Sequence, residues 1–241
     1  MSTEQITQEQ LMVAEKGRTK AGETIWSNRR LFMQLLAYGG CRDAGEIADS
    51  LEQARFPGVL YEDVNDPLGI AILSYSEDPD FFLDTLRPLA VKGPLSRLTP
   101  KPEYTMLGRT YSMGWESDLE EALITRPRSR ITDPGLRWAL WYPLRRSGAF
   151  EQLDEKEQHD VLSEHGSVGH SFGKAGIAHD IRLACHGLNK EDNDFVIGVL
   201  SDSLHPLSAV VQRMRKTRQT SRYLERLGPF FIGRVRWQAG A

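Results

Sequence analysis

The chain has 241 residues, 40% of them hydrophobic, and a formal net charge of −3. That length and apolar share suffice for one large domain or two small ones with a buried core, and the balanced charge offers no basic face for nucleic acid. No apolar run approaches the roughly 18 residues of a membrane span, and the start MSTEQITQEQ lacks a signal peptide's apolar segment, so a cytoplasmic protein is expected.

Residues 1–28 are polar and read as a loosely held arm. Residues 31–38 form a buried strand stopped by Gly39 and Gly40, and Asp43 caps a helix that carries Ile47 and Leu51 on one face. Residues 59–64 and 69–73 make a hairpin across Asn65-Asp66-Pro67. A second helix starts at Asp78-Pro79 with Phe81, Phe82 and Leu86, and a strand follows over 104–111. This order, β-α-β-β-α-β, is the ferredoxin-like unit over 29–111. Residues 112–134, rich in charge and containing Arg126-Pro-Arg128, read as a linker, a lid or an oligomer contact.

Residues 135–241 repeat the order. A strand spans 138–142, and Asp154 opens a helix with Val161, His165 and Val168 at i, i+4 and i+7. Strands follow at 177–184 and 195–200, then a helix striped by Leu204, Leu207, Val210, Val211 and Met214, then a strand at 230–235. The predicted fold class is α+β, with two ferredoxin-like βαββαβ repeats joined into one β-barrel-like dimeric α+β body.

The chemistry is narrow. No Walker, GxGxxG or HExxH pattern occurs. Cys41 and Cys185 lack CxxC spacing and read as reduced thiols. The histidines cluster between His159 and His205, and His165, read as lying where the amphipathic helix gives way to glycines, is the candidate of most interest. A buried imidazole at a helix end could hold a metal or a haem iron, or simply be satisfied in the core. His159 reads as exposed, His205 beside Pro206 reads as a helix start, and His179 and His186 fall on opposite faces of their strand, which argues against a shared metal site. Alternation in the 177–185 strand puts Ile177, His179, Ile181, Leu183 and Cys185 on one face, expected under the helices, and Ala178, Asp180, Arg182 and Ala184 on the other. The second face suits either a cavity floor or a structural Asp–Arg ion pair.

Taken in order, Tyr142-Pro-Leu-Arg-Arg146, Glu164-His165-Gly-Ser-Val-Gly169, Gly187 to Phe195, Met214-Arg215 through Arg222-Tyr223, and Pro229-Phe-Phe-Ile-Gly233 resemble the chlorite dismutase superfamily of haem proteins, over about residues 30–237. The resemblance implies haem b, or coproheme as an alternative, with His165 as the iron ligand. Arg146, nineteen residues earlier, would anchor a propionate, with Phe150 and His170 nearby. It also implies a homopentamer acting on peroxide or another small molecule. The family's distal arginine falls on Asp180 when counted back from Gly187, or on Ala178 when counted forward from His165. Asp180 with Arg182 would favour peroxidase-like chemistry, a carboxylate serving as general base, over chlorite dismutation. The glutamate expected to accept from the proximal imidazole falls near Arg218. Tyr142 matches the radical tyrosine of one coproheme decarboxylase branch, although as a strand aromatic it needs no such role.

Overall fold

The computed structural model describes residues 12–240. The predicted arm falls partly outside them, and its described part is not loose. Strands β1 (Glu15–Arg18) and β2 (Thr24–Ser27) pair as an antiparallel hairpin. The Glu15 carboxylate accepts from Arg109 Nη1 at 2.7 Å and from the Ser112 backbone N–H at 2.9 Å, and Arg18 N–H donates to Glu116 O. The hairpin is thus clipped onto the middle of the chain.

The first repeat comprises β3 (Phe32–Gly39), α1 (Ala44–Gln53), β4 (Gly58–Asp63), β5 (Ile70–Ser76), α2 (Arg87–Lys92), the two-residue β6 (Thr99–Pro100) and β7 (Met106–Arg109). Asp43 caps α1 by accepting from the Gly45 and Glu46 backbones. A segment of middle chain then carries α3 (Arg126–Ile131). The second repeat comprises β8 (Trp138–Arg146), α4 (Gly148–Glu151), α5 (Glu155–Lys174), β9 (His179–Ala184), β10 (Phe195–Ser201), α6 (Leu204–Met214), α7 (Arg218–Arg222), β11 (Leu224–Leu227) and β12 (Phe231–Gln238). Both α2 and α3 are entered through π-helical turns, Phe82–Leu86 and Glu121–Thr125, each followed two residues later by Pro88 or Pro127. Proline has no N–H for an i−4 carbonyl, and a wider turn accommodates the gap.

Each repeat has the ferredoxin-like strand order, β7-β3-β5-β4 and β12-β8-β10-β9. The two sheets join through β7–β9 and β4–β12, so eight strands close into a barrel. Residues pointing inward, among them Met33, Leu35, Tyr61, Leu73, Ala139, Trp141, Ile181, Leu183 and Phe231, fill the interior. Gly198 faces Trp141 across the β10–β8 ladder, and a Cβ there would lie 2.5 Å from the indole ring. Only glycine leaves room for this fully buried tryptophan.

Helices pack outside the barrel, α1 and α2 against the first half, α5 and α6 against the second. This corrects the expected facing of β9. Its apolar set, Ile181, Leu183 and Cys185, belongs to the barrel interior, and the Asp180–Arg182 face is the one toward the second repeat's outer helices. The segment over 112–134 is no bare linker, since Leu119, Leu123, Ile124 and Ile131 join the main core. No helix among the described residues is long and apolar enough to cross a membrane.

Candidate functional site

Between the outer face of the second repeat and its helices lies a cavity of about 570 Å³, within the 300–1,000 Å³ usual for ligand sites. Alternation on β8 builds its floor: Tyr142, Leu144 and Arg146 point to the cavity, with Ala139 and Trp141 turned into the barrel. Strand β9 adds Asp180 and Arg182, with Ala178 just before it, and β10 adds Phe195, Ile197 and Val199. Helices α5 and α6 roof it with His165, His170, Val210, Val211 and Met214. Tyr111, Met113 and Glu116, with Arg126 and Arg130 of the α3 turn, close the remaining side.

Helix α5 starts at Asp154 with a full capping box, the Asp154 carboxylate taking Glu157 N–H and the Glu157 side chain returning to Asp154 N–H. It does not end at His165. The helix runs through Gly166, Gly169 and Gly173 to Lys174, so His165 is mid-helix. The glycines have another use: Gly166, Gly169 and Gly173 all line the cavity, where a side chain would take up space.

His165 is largely buried. Its Nδ1 lies 2.9 Å from Thr217 Oγ1, whose hydroxyl donates to Met214 O at 2.7 Å. Burial, reinforced by the Arg146 and Arg182 charges, holds the imidazole pKa down at about 4, so the ring is neutral at pH 7. The imidazole therefore has an acceptor after all, one residue before the position expected to lack it. Arg218 does not face the ring but pairs with Glu164, Nε to Oε2 at 2.6 Å.

Arg146 lies between the Phe150 and Phe195 rings, 4.5 and 4.7 Å from their centroids. It has no carboxylate partner among the described residues, and its buried Nε is without a hydrogen-bond partner. Burial lowers its pKa, an unpaired cation in a poorly solvated place. Phe150 is absent from the cavity wall. It sits beneath the Arg146 guanidinium, 1% exposed, and meets Tyr223 edge to face. His170 lines the cavity from an exposed position on α5.

Asp180 and Arg182 do meet, carboxylate to Nε at 3.3 Å. A third member comes from outside the repeat: Arg130 Nη1 donates to Asp180 O at 2.6 Å and stands 4.0 Å from its carboxylate. Ala178 also lies on this floor, so both ways of counting reach the cavity. Tyr142 stacks on Phe230 at 4.6 Å, and burial raises its pKa, keeping the phenol protonated. The cavity wall holds six basic side chains, Arg126, Arg130, Arg146, Lys174, Arg182 and Arg215, against two acids, Glu116 and Asp180. In a chain of net charge −3, that concentration marks a site for an anionic ligand.

Thr217, Arg130 and Tyr111 were missed from sequence. Tyr111 packs on Phe195 at 5.6 Å within reach of the Arg182 and Arg146 charges. None of the three stands in a local pattern; each is brought in by a tertiary contact. Of the other histidines, His179 lines the cavity from β9, His159 and His205 are exposed, and His186 pairs with Asp194 at 3.3 Å. Both thiols are buried, and burial pushes the Cys185 thiol up to about 12.

Comparison with known proteins places this geometry. The chlorite dismutase family model matches residues 99–236. No match was found among curated proteins. A haem-binding protein from Thermus thermophilus is similar in structure with a TM-score of 0.64 at 19% identity, covering 86% of this chain and 91% of that one. A chlorite dismutase variant from Candidatus Nitrospira defluvii is similar with a TM-score of 0.67 at 14% identity, covering 87% and 92%. At such identities the likeness establishes the fold, and the site must be argued from the residues.

Proposed function

Because the chain belongs to the chlorite dismutase family, we propose that it is a haem-b-dependent oxidoreductase with peroxidase-like chemistry, and not a chlorite dismutase. The observation that carries this reading is the pairing, on one cavity, of a neutral buried imidazole with a buried guanidinium whose Nε has no partner. The first is what an iron ligand must be. The second is what a propionate would satisfy, with paired charge-assisted hydrogen bonds. The residues thus fit haem: His165 would ligate the iron, Arg146 would take a propionate, and the glycine faces of α5 leave room for a flat ring.

Haem, when bound, supplies an iron that exchanges electrons with peroxide. The chain's own part is proton handling and orientation. Asp180 is a proton acceptor at its carboxylate, which Arg182 and Arg130 hold in place. The resemblance places Asp180 or Ala178 where chlorite dismutases carry their distal arginine, which argues against chlorite. Peroxide, a small reducing substrate and the homopentamer expected for the family belong to the same proposal.

The test is a Soret titration with haem. Wild type should bind with the spectrum of a histidine-ligated iron, and His165→Ala should bind weakly with a changed spectrum. An unchanged spectrum in His165→Ala would remove His165 as ligand. A second reading, coproheme decarboxylase, is favoured by Tyr142 on the cavity floor and by the excess of basic side chains, which suits a ligand with more carboxylates than haem b. Coproheme and peroxide should then yield haem with loss of two carboxylates; bound coproheme without product removes this reading.

A further inference from the structure

We infer that Thr217 is a positioning residue that holds a His165 proton on Nδ1 and directs Nε2 to whatever the cavity binds. Thr217 is 4% exposed and precedes the short helix α7. Its Oγ1 lies 2.7 Å from Met214 O and 2.9 Å from His165 Nδ1. A hydroxyl carries one proton and a carbonyl can only accept. The Thr217 proton is therefore committed to Met214, and Oγ1 has only lone pairs to offer the imidazole. Nδ1 must be the donor, and in the neutral ring Nε2 is then the nitrogen without a proton.

Among the described residues Nδ1 has no other hydrogen-bond partner. Glu164, adjacent in sequence, has both its oxygens engaged by Arg218: Oε2 by Nε at 2.6 Å and Oε1 by the backbone N–H at 3.2 Å. The arrangement therefore gives His165 a neutral acceptor where a charged one stands only one residue away, held elsewhere. A neutral hydroxyl draws on the Nδ1 proton less than a carboxylate does, so the imidazole gains little anionic character. If the cavity holds haem, the part of the inference that rests on the preceding reading, the iron has a weaker donor and a raised reduction potential.

Two measurements test this. In the unloaded protein, long-range ¹H–¹⁵N correlation spectra report histidine tautomers directly. Wild type and Thr217→Ser should both show His165 protonated at Nδ1, and Thr217→Val should lose that preference. An Nε2-protonated wild type, or a Thr217→Val variant that keeps the Nδ1 form, overturns the assignment. In the haem-loaded protein, Thr217→Glu should shift the ferric–ferrous equilibrium at least tenfold toward ferric, about 59 mV for one electron, with Thr217→Ser near wild type. An unshifted potential overturns the electronic half. A wild type that takes up no haem defeats the haem reading, and the tautomer measurement still decides the role of Thr217.

Discussion

Lowering the pH from 7 to 4 should destabilise the unloaded protein by about 3 kcal/mol through His165 alone. Burial first, then the charges of Arg146 and Arg182, move this imidazole from 6.5 to about 4, against opposing pulls from Asp180 and Glu164. In the unfolded chain the ring titrates near its ordinary value of about 6.5. Between the two values the unfolded chain binds a proton that the folded chain refuses. Stability is therefore whole above about 6.5, falls as the pH drops through the window, and levels off below about 4. At about 1.4 kcal/mol per pH unit the window is worth about 3 kcal/mol, or about 6–12 °C in Tm for a chain of this size. Urea unfolding of wild type and His165→Leu at a series of pH values isolates the residue, because every other titrating group is common to both. Wild type should lose about 3 kcal/mol more than the variant across the window. Parallel curves would refute the claim that His165 is buried as a neutral base among cations.

Replacing Asp180 with Asn should lower peroxidase turnover about 10²- to 10⁴-fold, the range for a positioned general base, and leave the Soret titration nearly unchanged; an equally active variant would remove Asp180 from the chemistry. Arg146→Leu should weaken haem binding roughly 10- to 150-fold, the worth of a charge-assisted contact at about 1.5–3 kcal/mol; an unchanged Kd from the same titration would deny it a propionate. Gly198→Ala brings a methyl group to 2.5 Å from the Trp141 ring inside the barrel, and the overpacking should cost about 1–3 kcal/mol in chemical denaturation. Pairing it with Trp141→Phe should recover part of that loss, and a stabilised Gly198→Ala would mean the barrel interior is looser than its geometry indicates.

Much of the fold was legible because its signals are local. Apolar runs mark β8 and β10, Asp43 and Asp154 mark helix starts, and the β-α-β-β-α-β order repeats. Alternation also put Asp180 and Arg182 together on one face of β9 between small residues, but left a cavity floor and an ion pair equally open. What misled was also local. Glycines at 166, 169 and 173 read as a helix end, whereas α5 continues because its roofing face needs small residues over the cavity. The resemblance implied Phe150 near the ligand, and packing put it under Arg146.

The sequence by itself determined the two repeats, which residues share a strand face, and a histidine nineteen residues after Arg146. It did so because periodicity and capping depend on residues within a few positions of one another. Only the tertiary structure decided that the sheets close into a barrel, that the Asp180 face and not the apolar face of β9 lies toward the cavity, and that α3 reaches across it. It alone supplied Arg130 to Asp180, fifty residues away, and Thr217 to His165, fifty-two residues away. Such contacts depend on how whole elements pack, and a single hydroxyl that fixes an imidazole's proton leaves no periodic trace in the chain.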